Sequence, residues 1–228
     1  MNHLTAEIQY LTAKTTNLST KFSNLTAELK ITKAGEIMYN DQLQHAFQLC
    51  SYLLSYPDKE YIHSLPEMEY EVDSISILEI KEELQQYFKK ANTLSQAELV
   101  STYVNTFDFG KKSNLYVTYM SNGEQRERGM DLLFIKNYYR LHGFDVTDKE
   151  LPDYLPIMLE FASLVDLEIM KPVFERYVDN IKEIAGNVNP HDNLYGHIMR
   201  TIMLALQEAG ITKSVRRSEE LCTNSFYG

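Results

Sequence analysis

Tryptophan is absent from the 228 residues, glycine and proline number only nine and six, and cysteine appears twice. So little glycine and proline excludes collagen-like repeats, low-complexity linkers and most turn-rich sandwiches. Two cysteines, Cys50 and Cys222, cannot build a disulfide framework, which fits a reducing compartment. No run approaches the roughly 18 apolar residues that a membrane span needs, and the N-terminus lacks the apolar core of a signal peptide. The expectation is a cytoplasmic protein that does not insert into a membrane. Basic charge is scarce too, with 22 Lys and Arg against 32 Asp and Glu, a net of −10. A phosphate backbone needs a basic face, so nucleic acid is not an expected partner.

The deficit is uneven. Residues 1–38 carry Lys14, Lys21, Lys30 and Lys33 against Glu7, Glu28 and Glu36, and residues 211–228 carry Lys213, Arg216 and Arg217 against Glu219 and Glu220. Each end is therefore +1, and the stretch between holds −12. Such a field favours encounter with a cationic partner. Hydrophobic residues at 44% and charged residues at 24% are near the globular average, and a chain of this length buries roughly 70% of its unfolded surface.

What the chain does have is helical periodicity. Residues 3–30 read as consecutive sevens, HLTAEIQ, YLTAKTT, NLSTKFS and NLTAELK. Leu4, Leu11, Leu18 and Leu25 fall on one heptad position, and Ile8, Thr15, Phe22 and Leu29 on its partner. Thr15 in the seam and the many Ser, Thr and Asn residues make this a marginal zipper, because such side chains compete for the helical backbone. Ala34-Gly35-Glu36 breaks the pattern, and Met38 is a second candidate start. Residues 1–38 are therefore read as a dispensable heptad-patterned leader, either an appendage or no part of the native protein.

From Tyr39 the period is close to 3.6. Stripes run through Leu43, Ala46, Phe47, Cys50, Leu53 and Leu54; through Ile77, Ile80, Leu84, Tyr87 and Phe88; and through Leu99, Tyr103 and Phe107. Ser95 to Glu98 forms a capping box before the third, and Thr147 to Glu150 resembles another. Further stripes are Met130, Leu133, Phe134, Tyr138 and Leu141; Leu155, Leu159 and Ala162; Ile169, Val173, Tyr177, Ile181 and Ile184; and Leu194, Ile198, Ile202 and Ala205. The one β-like run, Leu115 to Met120, has no second strand to pair with. The prediction is all-α: one bundle-like domain of about seven helices over 39–210, a helical leader before it and a flexible tail over 211–228.

Enzyme chemistry finds no footing. The one Glu-x-x-His pair, Glu60 and His63, follows Pro57-Asp58, where a loop is expected, and paired metal-ligand motifs and phosphate-cradling loops are missing. Cys50 lies on an apolar stripe and reads as a buried small hydrophobe rather than a nucleophile. Binding chemistry is better represented. Sixteen Tyr and nine Met suit an adaptable peptide-receiving surface, although filling a helical core is the commoner use of both. Arg126 and Arg128, near a helix start, could hold an anion; from the residues alone, pairing with Asp108, Glu124 or Asp131 is the favoured role.

Several segments together carry a resemblance. Ser51-Tyr52-Leu53-Leu54-x-Tyr56-Pro57, Thr106-Phe107-Asp108, Leu115-Tyr116-x-Thr118-Tyr119, Gly123-x-x-Arg126-x-Arg128-Gly129 and Leu151-Pro152-Asp153-Tyr154-Leu155-Pro156-x-x-Leu159-Glu160-Phe161 look like the NarJ-type nitrate reductase assembly chaperones, within the wider TorD/DmsD chaperone superfamily. The resemblance spans about residues 42–205 and leaves out the leader and the residues after about 210. It implies an all-helical, non-catalytic chaperone that holds the N-terminal segment of the apo catalytic (alpha) subunit of respiratory nitrate reductase. Such proteins keep no cofactor of their own. They act while the client is loaded with molybdopterin guanine dinucleotide, in company with molybdenum cofactor biosynthesis proteins, before the client docks at the membrane. Related chaperones carry Asp-His where Asp153-Tyr154 stand here, and tyrosine does not titrate near neutrality, so a pH-switched release built on that histidine does not carry over.

The client-contacting residues expected from this reading are Asp153 and Tyr154, bracketed by Pro152 and Pro156 at a helix entrance, with Leu155, Pro156 and Leu159 behind them. Tyr103, Phe107, Tyr116 and Tyr119 complete the set. The alternatives are a chaperone for another molybdoenzyme, a helical small-ligand or nucleotide module using Arg126 and Arg128, and a scaffold assembled through the leader.

Overall fold

The first helix is the axis of the core. In α1 (Tyr39–Leu53) the stripe Leu43, Ala46, Phe47, Cys50 and Leu53 is fully buried, with Leu54 just beyond it. Each large apolar side chain so buried contributes about 1.5–3 kcal/mol. The computed structural model describes residues 39–109, 112–120, 125–145 and 150–214, with only the backbone of Tyr39, Met120, Gln125 and Arg126. The heptad leader and the residues after Ser214 lie outside the described residues.

Seven more α-helices follow: α2 (Lys59–Glu71), α3 (Leu78–Ala91), α4 (Gln96–Tyr103), α5 (Gln125–Leu141), α6 (Leu155–Leu164), α7 (Leu167–Gly186) and α8 (Tyr195–Glu208). The described residues contain no strand, so the fold is all-α. Helix α1 packs chiefly on α6 and α8, and α8 lies in turn against α3 and α7. Polar side chains reinforce these seams. Gln44 Nε2 donates to the Val165 carbonyl at 2.7 Å, and Ser51 Oγ to the Pro156 carbonyl at 2.7 Å. Gly143 and Gly210 close α5 and α8 with φ of 83° and 81°, a left-handed turn that a side chain would strain.

Three local expectations meet different outcomes. The Ser95 capping box is present, with Glu98 Oε2 accepting from the Ser95 amide at 2.8 Å. The loop expected after Pro57 is instead α2, which raises the count from about seven helices to eight. Asp58 opens it by accepting the Tyr61 amide at 2.9 Å, and the helix buries Tyr61, Leu65 and Met68 while carrying Pro66 on its exposed side. Tertiary burial outweighs the missing amide of Pro66. Lastly, the α5 stripe read from the sequence does not face the core. Asp131, Ile135 and Tyr139 point inward, whereas Met130, Leu133 and Leu141 are exposed. Asp131 is drawn in by the Arg176 guanidinium at 3.1 Å and the Tyr177 hydroxyl at 3.0 Å, both on α7.

Candidate functional site

The β-like run does find a partner, though a very short one. Tyr116 and Tyr154 form an isolated antiparallel bridge. The Val117 amide donates to the Asp153 carbonyl at 2.9 Å, and the Leu155 amide to the Leu115 carbonyl at 2.8 Å. A 3-10 turn, Val117–Met120, continues from there. The two segments that carry most of the sequence-predicted site are thereby laced together ahead of α6.

Asp153 is the clasp. Its carboxylate is wholly buried, and Oδ2 accepts the Thr118 amide at 3.1 Å and the Thr118 hydroxyl at 2.6 Å. Arg128 stands behind this pair, with Nη2 4.0 Å from Oδ2, Nε donating to Thr118 Oγ1 at 3.3 Å, and its guanidinium over the Tyr119 ring. Asn180 of α7 donates to the Val117 carbonyl at 2.9 Å, and the Tyr139 hydroxyl to the Pro152 carbonyl at 3.3 Å. The Asp153 charge is thus compensated by donors from three elements, which is how a carboxylate survives burial. The proline bracket does constrain the chain here, but it turns Asp153 inward rather than presenting it. Nor does Asp153 cap α6; Tyr154 holds that position without a side-chain bond.

Tyr154 joins a line of aromatic side chains. Its ring lies 5.2 Å from Tyr116, and its hydroxyl 3.1 Å from that of Tyr103. Tyr103 packs edge-on against Phe107, Tyr195 and the half-exposed Tyr56. The line continues inward from Tyr195 to Tyr87 and on to Tyr61, whose hydroxyl bonds that of Tyr87. Burial pushes the Tyr103 hydroxyl up to about 12, and raises Tyr154 and Tyr116 as well. For Tyr116 a second cause is its hydrogen bond to Glu150 Oε1 at 2.5 Å. These tyrosines therefore stay neutral donors through the physiological range.

The predicted residues sort into three groups. Tyr103, Phe107, Tyr116, Asp153 and Tyr154 come together around the bridge. Leu155, Pro156 and Leu159 face the interior of α6 instead and are buried. Tyr119 is exposed beside Arg128. Arg128 is engaged within the clasp, the pairing role read from the residues alone, and the side chain of Arg126 lies outside the described residues.

Sequence reasoning missed Thr118, Asn180 and Glu150. Glu150 was assigned to a capping box, yet its carboxylate serves Tyr116 and the Leu151 amide. Only the pairing of 115–117 with 153–155 reveals that. Among the described residues no three of His, Cys, Asp and Glu gather where a metal could sit, and no helix is long and apolar enough to cross a membrane. Cys50 is buried, and its thiol is raised far above the usual range by desolvation. The arrangement offers neutral hydroxyl donors, aromatic faces and carboxylates, which is recognition chemistry.

Comparison with known proteins agrees with this character. Residues 74–196 match the family model described as "Nitrate reductase delta subunit". A Bacillus subtilis protein named as a probable nitrate reductase molybdenum cofactor assembly chaperone, NarJ, is 44% identical over 172 residues, which cover 75% of this chain and 94% of that protein. The Escherichia coli K12 chaperone of the same name is 30% identical over 118 residues, half of each chain. A Mycobacterium tuberculosis nitrate reductase-like protein, NarX, is 28% identical over 156 residues, 68% of this chain but only 23% of that protein.

Proposed function

The chain belongs to the nitrate reductase delta subunit family, and from that membership we propose that it is an assembly chaperone for a respiratory nitrate reductase, not a catalyst. The observation that carries the reading is the 44% identity extending over 94% of a relative named as such a chaperone. In this reading the chaperone works in the cytoplasm. It holds the N-terminal segment of the apo catalytic subunit, and releases it once molybdopterin guanine dinucleotide has been inserted by the cofactor biosynthesis proteins. The cofactor is the client's cargo, and the chaperone retains none.

The physical support is a surface built for binding. The bridge region offers aromatic edges and fixed hydroxyl donors on a scaffold of buried helices, so a segment can dock at low ordering cost to the chaperone. The Asp153–Thr118–Arg128 clasp keeps that scaffold in register, and in this reading Asp153 acts through Thr118 rather than by touching the client.

The test is deletion and retrieval. Cells without the protein should make a nitrate reductase catalytic subunit that is poor in molybdenum and inactive, and the tagged protein should retrieve that subunit in its apo form. Normal molybdenum content in the deletion strain would refute the role. Retrieval of a different molybdoenzyme would reassign the client.

A further inference from the structure

Two carboxylates flank the stacked pair Tyr116 and Tyr154, and neither has a cationic partner among the described residues. Glu150 is half-buried and anchored, taking the Tyr116 hydroxyl at 2.5 Å and the Leu151 amide at 3.2 Å, both through Oε1. Asp108 is exposed, ending a π-helical segment, Val104–Asp108, and lies near enough to Tyr103 and Tyr154 to raise both hydroxyls. The cation closest to this group, Arg128, is committed to Asp153, Thr118 and Tyr119. Around the carboxylates Tyr56, Phe109 and Leu151 remain exposed at 50%, 76% and 40%.

This combination has a specific complement. A carboxylate already fixed by a tyrosine hydroxyl loses little freedom on accepting a further charged donor. Aromatic faces attract a cation and cover the methylene stem that carries it. A neutral apolar ligand would leave Glu150 and Asp108 half-desolvated without compensation, which is costly. An anion would meet like charge.

We propose that Glu150, assisted by Asp108, reads an arginine or lysine side chain on the segment that docks against Tyr116 and Tyr154. The inference rests on the client reading above and adds the residues and the chemistry of selection. Asp153 contributes as a positioning residue, since it holds Thr118 and so the Tyr116 side of the bridge.

The experiment uses the full chain and two synthetic peptides of the catalytic subunit's N-terminal segment, one natural and one with every Lys and Arg replaced by Gln. Affinities are measured by calorimetry for the wild-type protein and for Glu150→Gln, which retains an acceptor for Tyr116 and Leu151 and so preserves the fold. The natural peptide should bind Glu150→Gln about tenfold more weakly than wild type, the size of one charge-assisted contact. The neutral peptide should bind both proteins equally and weakly. Asp108→Asn should show the same pattern with a smaller loss. If the natural peptide binds wild type and Glu150→Gln alike, or if both peptides lose equally, docking is apolar alone and the inference is wrong while the client reading stands. If wild type binds neither peptide, the client reading falls and takes the inference with it.

Discussion

Helices α1 and α5 carry equally legible apolar stripes, and the molecule treats them oppositely. In α1 every residue of the stripe is buried, down to Leu53 at 0% exposure. In α5 Leu133 stands 58% exposed, while the acidic Asp131 two positions away is buried against Arg176 and Tyr177. Periodicity announces a helix, and the side that is buried is decided by what neighbouring elements offer. An inward carboxylate with a guanidinium and a hydroxyl waiting for it outweighs an apolar stripe whose only alternative is solvent.

The comparison is most sharply tested where the difference is largest. Leu53→Ala in α1 should cost about 2–5 kcal/mol of unfolding free energy in urea titration, because the core cannot collapse around the lost side chain. A loss under ~1 kcal/mol would mean that the centre of the fold is looser than its burial implies.

Next comes the clasp. Asp153→Ala should cost about 3 kcal/mol, since Thr118 and Arg128 are left facing a void, whereas Asp153→Asn keeps an acceptor for Thr118 and should cost about 1 kcal/mol. Near-identical melting of both variants would show that the carboxylate is not holding the bridge.

The tyrosine line supplies a pH test. The Tyr103 hydroxyl is raised from 10.0 to about 12 in the folded protein, chiefly by burial, so the folded state holds its proton more tightly than the unfolded chain does. Its contribution is fully present below pH 10.0 and is lost as pH climbs toward 12. Denaturation midpoints should therefore hold steady up to that onset and then drop, with tyrosinate absorbance at 295 nm appearing together with unfolding (about that wavelength being where tyrosinate absorbs beyond neutral tyrosine). Tyrosinate that accumulates well before unfolding would place these hydroxyls in water.

The smallest effect belongs to α5. Leu133→Ala should shift stability by no more than ~0.5 kcal/mol, the range of an exposed site. A loss near that of Leu53→Ala would show that this face is covered in solution.

Much of the architecture was readable before the structure. The helices around Leu43, Ile80, Leu99 and Ile198 follow from apolar spacing, and Ser95 and Glu98 announce a helix start through their own hydrogen bonds. Helix α2 was not readable, because Pro66 and an acidic surface mask a helix whose stability comes from burying Tyr61, Leu65 and Met68. At the site, the segments around Tyr116 and Asp153 were legible as motifs through the family resemblance. That Asp153 is buried, and that Glu150 serves Tyr116 rather than a helix start, was not.

By itself the sequence determined the all-α class, the helix starts that depend on neighbouring residues, and the family, because each rests on local spacing or on motifs kept in order. Tertiary structure alone decided which face of α5 turns inward, that Leu115–Val117 pairs with Asp153–Leu155, and that Glu150 and Asp108 flank the same two tyrosines. Those outcomes depend on donors and acceptors tens of residues apart, such as Asp131 with Arg176 or Thr118 with Asp153. Burial sets their strength, and no local pattern encodes a partner that only the folded chain brings near.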